Sequence, residues 1–275
     1  MLNINDMQER CVSYFLCQFN PRTKKRKTRE IVEQVLLRDY SPENVERFID
    51  LRMTDLQNAL VDEFNERISA GASLRFQIVD RYANGSVVEG NGSHVTKEEI
   101  RFQDALHQLT PNEFEKLSAV VLGRIGCKTV FFTPESHDQG VDAFGYQQIV
   151  RSTPYGTTHH LTWIAQAKHY LSAGVSTGDI RQLVGTKELV IGKAFSTVRD
   201  RYTELKLRPC APTALALITT DEVPATVRRL AENSGVYVYA ASDLYDILGK
   251  LVKEPTVSEI RRALAEKQKL IKTLR

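Results

Sequence analysis

Gln166 and Lys168 stand inside an otherwise apolar segment, LTWIAQAKHY at 161–170, close to Trp163 and Ile164. Side chains alternate faces along a strand, so Gln166 and Lys168 share one side while Ala165 and Ala167 share the other. A buried amide and ammonium cost free energy unless something uses them. The alternative is the solvent-facing side of an edge strand. The two alanines keep the reverse face small, as a closely packed helix would require. A second candidate is Asp142, at the end of SHDQGVD (136–142). Gly140 permits a sharp turn before a strand, after which Val141 and Asp142 point to opposite sides. Alone, this aspartate reads as an ordinary polar turn. Combined with a polar-x-lysine on the next strand, it supplies what metal-assisted phosphodiester hydrolysis needs. Magnesium prefers hard oxygen ligands such as carboxylate. It polarises the phosphate and lowers the pKa of a bound water. The lysine orients that water or stabilises charge developing on the phosphate. Gln166 offers an amide oxygen where many such sites use an acid, which lowers the negative charge and weakens metal binding until phosphate adds oxygens.

The elements that must position these residues lie on either side. Thr110-Pro111-Asn112-Glu113 is a capping box with proline at the first turn. It opens a helix that turns Phe114, Leu117, Val121 and Ile125 inward and ends at Gly126. A shorter helix from Thr96, answered by Glu99, precedes it. Strands are expected at 128–133, 141–146 and 161–170, then a helix from Ser176 through Ile180, Leu183 and Val184. TALALIT (213–219) has the continuous apolar character of a strand buried on both faces. A helix at 224–234, a strand at 236–240 and a helix from Ser242 complete an α/β pattern.

Three segments of this domain resemble the catalytic domain of Mrr-type restriction endonucleases, members of the PD-(D/E)xK nuclease superfamily. They are TPNEFE (110–115), SHDQGVD (136–142) and QAKHY (166–170), with IRQLVG (180–185) and ITT (218–220) following. The resemblance covers about 105–250. It implies an α/β fold with a restriction-endonuclease-like αβββαβ core, magnesium dependence (with manganese able to substitute) and hydrolysis of DNA. Asp142 would then be the metal-binding acid, Gln166 the second metal ligand and Lys168 the catalytic lysine. Glu115 matches an acid on the first core helix that borders such sites, or is a solvated helix glutamate. His137 and Asp138 are further candidates on the loop. His169 replaces the arginine usual after that lysine, which weakens a phosphate contact there. Arg181, Gln182 and Lys187 are candidates for DNA phosphate contacts, against the alternative of a charged outer helix face. Thr219 and Thr220 are placed to line the cleft.

The chain before this domain reads differently. Ser41 and Pro42 begin a long helix, whose stripe of Val45, Ile49, Met53, Leu56, Leu60, Phe64 and Ile68 stops near Gly71. RFQIV and SVV, around Asn84-Gly85, suggest a hairpin, and GNGSH (90–94) a linker. Arg22, Lys24, Lys25, Arg26, Lys27 and Arg29 put six positive charges within eight residues, either a DNA phosphate contact or a solvated loop. The expected organisation is a mainly helical accessory domain at 1–95, for recognition or partner binding, a nuclease domain at 96–254 and a C-terminal helix at 255–275. That last helix either docks on the domain or pairs with another chain.

Composition narrows the class. With 42% hydrophobic and 26% charged residues the chain has ordinary globular character, and its net charge of +3 says little about partners. The four cysteines form no CxxC pair, so neither a zinc site nor a disulfide framework follows. The first twenty residues lack the order of a signal peptide, and no apolar run approaches the roughly 18 residues of a membrane span. A cytoplasmic protein with no membrane partner is expected. The leading function is a DNA endonuclease in defence against foreign DNA, acting alone or as the effector of a larger complex with an ATPase or other defence subunit. Double-strand cutting with one site per chain implies a homodimer or higher oligomer. The alternatives are a non-catalytic DNA- or protein-binding subunit retaining the fold, and a nuclease for RNA or branched DNA.

Overall fold

The computed structural model describes residues 4–70, 72, 74–79, 87–92, 97–133, 140–149, 159–170, 174–192, 205, 207, 211–252, 254–268 and 271–273. The chain forms two compact units. The first comprises Met1–Ile100 with two later segments, Tyr170–Ser176 and Asp221–Thr226; the second comprises Arg101–His169, Thr177–Thr220 and Val227–Arg275. Neither unit is continuous in sequence.

In the first unit, helices α1 (Ile4–Ser13), α2 (Thr28–Leu36) and α3 (Pro42–Ser69) accompany strands β1 (Arg26–Lys27), β2 (Phe76–Ile78) and β3 (Val87–Gly90). A π-helical turn, Tyr14–Gln18, follows α1. The strands make an antiparallel sheet in the order β1-β3-β2. The long helix has the expected stripe, with Val45, Ile49, Leu56, Leu60 and Phe64 buried, but Ile68 is exposed and Phe48 joins the core. Phe15, Phe19, Phe48 and Phe76 are fully buried here, and aromatic packing of this kind adds stability beyond area alone. Gly90 is not a linker residue. A Cβ there would lie 2.2 Å from the Pro21 carbonyl oxygen, so only glycine lets β3 pass that close to the backbone. Asn91 next to it is buried, its N–H donating to the Arg75 carbonyl at 2.9 Å.

A buried ionic group ties Asp221–Thr226 into this unit. The Arg67 guanidinium donates to Glu222 at 3.0 Å, Glu63 at 3.4 Å and the Val223 carbonyl at 3.0 Å. Glu63 also accepts from the Ala225 N–H. Burial pushes the Glu63 carboxyl up, against the opposing pull of the Ala225 N–H and Arg67. Burial works to lower the Arg67 value, but Glu222 and Glu63 more than offset it and hold the guanidinium charged. Cys17 is buried beside them, and the Glu222 N–H donates to its sulfur at 3.1 Å. Desolvation, with the charges of Asp221 and Glu222, drives its thiol well above the usual range. It is a packed, unreactive cysteine.

The second unit is a helix-covered mixed sheet. Its elements are α4 (Lys97–His107, beginning in the first unit), α5 (Pro111–Arg124), β4 (Cys127–Phe132), β5 (Ala143–Ile149), β6 (His159–Lys168), α6 (Thr177–Ile191), β7 (Thr213–Thr219), α7 (Ala225–Asn233), β8 (Val236–Tyr239), α8 (Ala241–Leu248), α9 (Val257–Gln268) and β9 (Ile271–Thr273). A 3-10 turn, Gly249–Leu251, follows α8. From α5 to β7 this is the αβββαβ order of a restriction-endonuclease-like fold. Strand order is β8-β7-β6-β5-β4-β9, with β4, β5 and β6 antiparallel and β6, β7 and β8 parallel. One face of the sheet carries Trp163, Ala165, Ala214, Ala216 and Ile218 into a core with Phe114 and Leu117 of α5, Leu244 of α8 and Ile260 of α9. The small side chains of β6 therefore meet α5, as their size requires. Helix α6 packs against β7.

Two local expectations are corrected. Strand β6 begins at His159 rather than at 161. The C-terminal helix ends at Gln268, not 275, because Ile271–Thr273 pairs in parallel with Val130, Phe131 and Phe132 of β4. The backbone groups along the outer edge of β4 need partners, and a segment with Ile271 and β-branched Thr273 supplies them more readily than it extends a helix. Helix α9 docks on its own domain: Ile260 is 3% exposed, and Arg261 pairs with Glu113 of α5 at 2.7 Å. No helix among the described residues is long and apolar enough to cross a membrane.

Candidate active site

Asp142 is fixed by three hydrogen bonds. Its N–H donates to the Ala165 carbonyl at 3.0 Å, and its own carbonyl accepts from the Thr133 N–H at 2.9 Å. Its carboxylate Oδ2 accepts from the Ala167 N–H at 2.6 Å. The backbone is thereby tied on the β4 side and on the β6 side, and the carboxylate lies on the β6 backbone between Gln166 and Lys168. The register explains why. Ala143 pairs with Ala165 and Phe144 with Ile164, so one further step sets Asp142 opposite Gln166, on the same side of the sheet. The turn before it needs Gly140, which has φ +79°. A Cβ at that position would lie 2.7 Å from Thr186 Oγ1 on α6 and 3.4 Å from Gln166 Nε2.

Gln166 is 4% exposed, and its Oε1 has no hydrogen-bond partner among the described residues. Leaving a buried acceptor unsatisfied costs about 1–3 kcal/mol, so this oxygen marks a place for a donor or a cation. Lys168 points to α6, with its Nζ 3.1 Å from Gln182 Oε1 and 3.4 Å from Asp179 Oδ1. Its carbonyl accepts from the Thr220 N–H at 3.4 Å. Glu115 stands on α5 behind the capping box, whose two bonds are Glu113 N–H to Thr110 Oγ1 at 3.2 Å and Thr110 N–H to Glu113 at 2.8 Å. Glu115 is part-buried, with its Oε2 inside the protein. The Arg261 guanidinium beside Glu113, with the Thr110 N–H, holds the Glu113 carboxyl below its ordinary value.

A divalent cation fits the Asp142 carboxylate and the Gln166 amide oxygen on two counts. Both are hard oxygen donors, and Gln166 Oε1 is buried without a partner. Among the described residues no group of three or more His, Cys, Asp and Glu side chains is gathered for a metal. Such a site has one carboxylate and leaves most of the coordination shell to water and phosphate, which is how magnesium is commonly held.

Most of the other expected residues have partners within the protein. His169 Nε2 donates to the Leu106 carbonyl at 3.2 Å, and its ring packs on Phe114 with centroids 5.5 Å apart. Gln182, expected at a phosphate, accepts from Lys168. Arg181 reaches Thr177 Oγ1 at 3.3 Å and Lys187 pairs with Glu188 at 3.3 Å. Thr219 and Thr220 are fully buried rather than lining a cleft. Lys24, Lys25 and Lys27 are exposed on the first unit, while Arg26 reaches Gln34 at 3.2 Å and Glu30 at 3.8 Å. His137 and Asp138 lie outside the described residues. Asp179 and Thr186 were missed from sequence. Asp179, in the first turn of α6, resembles any acid favoured at a helix start, and the pairing of Thr186 with Gly140 is long-range.

Residues 106–195 match the family model of the Mrr catalytic domain, described as a restriction endonuclease. No curated protein matches. Two solved structures are similar. One is MspJI restriction endonuclease in complex with a 27-mer oligonucleotide, at 16% identity and TM-score 0.46, covering 64% of this chain and 38% of that one. The other is AspBHI, a DNA modification-dependent restriction endonuclease, at 15% identity and TM-score 0.44, covering 64% and 41%. The chain thus spans about two fifths of the length of each.

Proposed function

We propose, from the premise that residues 106–195 form a restriction-endonuclease catalytic domain of the Mrr type, that this protein hydrolyses DNA phosphodiester bonds with a divalent metal, magnesium above all. The observation that carries the reading is the Asp142 carboxylate seated on the Ala167 N–H, beside the partnerless amide oxygen of Gln166.

Asp142 and Gln166 would hold the metal, with Glu115 bordering the site. The bound cation supplies a polarised phosphate and a water of lowered pKa. The chain's own residues do the rest. The three hydrogen bonds on Asp142 keep its carboxylate from turning away when DNA arrives, so binding costs little reorganisation. Lys168 carries positive charge to the phosphate, where negative charge develops in the transition state. With one carboxylate in the donor set, cation affinity rests partly on the substrate's own phosphate oxygens.

The setting we propose is defence against foreign DNA, as a homodimer or higher oligomer, alone or under a partner ATPase or other defence subunit. The first unit, with its exposed Lys24, Lys25 and Lys27, would bind DNA or that partner. Incubation of the full chain with plasmid, with magnesium, manganese or EDTA, tests the chemistry. Cleavage should require the metal. Asp142→Ala should lose more than the 10–100-fold typical of an outer-shell metal partner, while DNA binding remains. Equal cutting by wild type and Asp142→Ala would remove the site. DNA binding without cutting under every metal would favour a binding subunit that retains the fold, and a preference for RNA or branched DNA would change the substrate while keeping the chemistry.

A further inference from the structure

A lysine on a flexible four-carbon stem is a poor instrument for orienting a phosphate unless something holds its ammonium. Here two side chains of one helix do so. Gln182 Oε1 lies 3.1 Å and Asp179 Oδ1 3.4 Å from Lys168 Nζ. They are three residues apart on α6, which places both on one helical face. Asp179 is 8% exposed, so its carboxylate is held close to the lysine with little competition from water. An ammonium has three N–H donors and no acceptor. Gln182 accepts from the ammonium and the Asp179 carboxylate draws it toward α6, which leaves donor capacity for a reacting phosphate or its attacking water.

Helix α6 is itself anchored. Ile180 and Leu183 are fully buried on it, and Thr186, one turn on from Gln182, is the side chain that closes against the Gly140 turn preceding Asp142. One helix therefore sets the place of the lysine and borders the turn that presents the acid. A supporting shell of this kind holds reacting groups within a few tenths of an ångström of useful geometry.

We propose that Asp179 and Gln182 are positioning residues for the nuclease reaction, which hold Lys168 in its working orientation from α6 without touching DNA. This rests on the nuclease reading given above, and it opposes the assignment of Gln182 to a DNA phosphate. The two roles predict opposite orders of variants. A positioning acceptor tolerates Gln182→Glu and is destroyed by Gln182→Lys. A phosphate contact tolerates Gln182→Lys and is repelled by Gln182→Glu.

The test uses the full chain in three measurements. They are single-turnover plasmid cleavage in magnesium, duplex affinity by fluorescence anisotropy in calcium, and proton–nitrogen NMR of the lysine ammonium groups. Gln182→Ala, Gln182→Lys and Asp179→Asn should each slow cleavage at least tenfold with duplex Kd changed less than twofold. Gln182→Glu should recover most of what Gln182→Ala loses. The ammonium resonance assigned by its absence in Lys168→Arg should be sharp in wild type and broaden away in Asp179→Asn/Gln182→Ala. A Gln182→Lys protein that cuts at the wild-type rate, or a tenfold weaker duplex Kd in Gln182→Glu, would overturn the proposal. If wild type cuts nothing, the nuclease reading fails by itself. The ammonium resonance then still decides whether α6 restrains Lys168, and its persistence in the double variant would end this inference too.

Discussion

Gly140→Ala offers a sharp test of how the acid is presented. At φ +79° an L residue pays about 1–2 kcal/mol for left-handed backbone. The added Cβ would also stand 2.7 Å from Thr186 Oγ1, closer than real Cβ contacts come, and Thr186 is 6% exposed with a branched, stiff χ1. Relief must come from shifting the turn or the helix, at an overpacking cost of about 1–3 kcal/mol. The whole substitution should therefore destabilise the protein by about 2–5 kcal/mol, read as a urea midpoint lower by about 1 M or more. The double-mutant cycle with Thr186→Ala separates the parts. In that background only the backbone component remains, so the two sites should couple by about 1–3 kcal/mol. Cleavage should suffer with stability, because Gln166 Nε2 lies 3.4 Å from the new Cβ and small misplacements near a reacting centre cost about 100-fold in rate. A Gly140→Ala protein that unfolds at the wild-type midpoint would refute the reasoning. So would an equal loss with and without Thr186→Ala.

Arg67→Met should cost about 3–5 kcal/mol at pH 7, since it leaves Glu63 and Glu222 buried without their cation. Glu63 already titrates above its ordinary value in the folded protein, so its contribution to stability is full below about pH 4.5 and falls as pH rises through the raised value. The deficit of Arg67→Met in urea unfolding should accordingly shrink on going from pH 7 to pH 4.5, and a deficit independent of pH would contradict the assignment. Glu113 behaves in the opposite sense. Its carboxyl is held low by Arg261, so the stability it contributes is present above about pH 4.5 and lost as pH falls through the depressed value. Glu113→Gln should cost about 1 kcal/mol at pH 7, the scale of a helix cap, and the gap to wild type in thermal unfolding should close toward pH 3.

Much of the second unit was legible because its signals are local. Thr110 and Glu113 declare a helix start whatever lies beyond them, and both bonds of that box form. The alternation of Ala165, Gln166, Ala167 and Lys168 divides the strand into a face for α5 and a face that carries Gln166 and Lys168, since the side-chain period of two admits no other division. Gly140 before Asp142 announced a turn that needs positive φ. What escaped was long-range. Gln182 and Asp179 look like solvent-facing helix residues until the register of β6 brings Lys168 to them. Ile271–Thr273 reads as a continuation of an amphipathic helix until the bare edge of β4 is known to lie beside it. The contacts of His169 with the Leu106 carbonyl, through Nε2, and with the Phe114 ring were likewise hidden by sequence distance. In the first unit, Glu63 and Arg67 had the i, i+4 spacing of an ordinary surface pair, and nothing nearby in sequence revealed Glu222 as the third member.

The membership of Tyr170–Ser176 and Asp221–Thr226 in the first unit bears on how the chain can be divided. These segments follow β6 and β7 directly, yet Glu222 finds its cation in a helix that ends at Ser69. A chain cut before Arg101 would leave Glu222 without its cation in the second part and the first part without its two later segments. Parting the two units at a single point of the chain is therefore closed to this architecture.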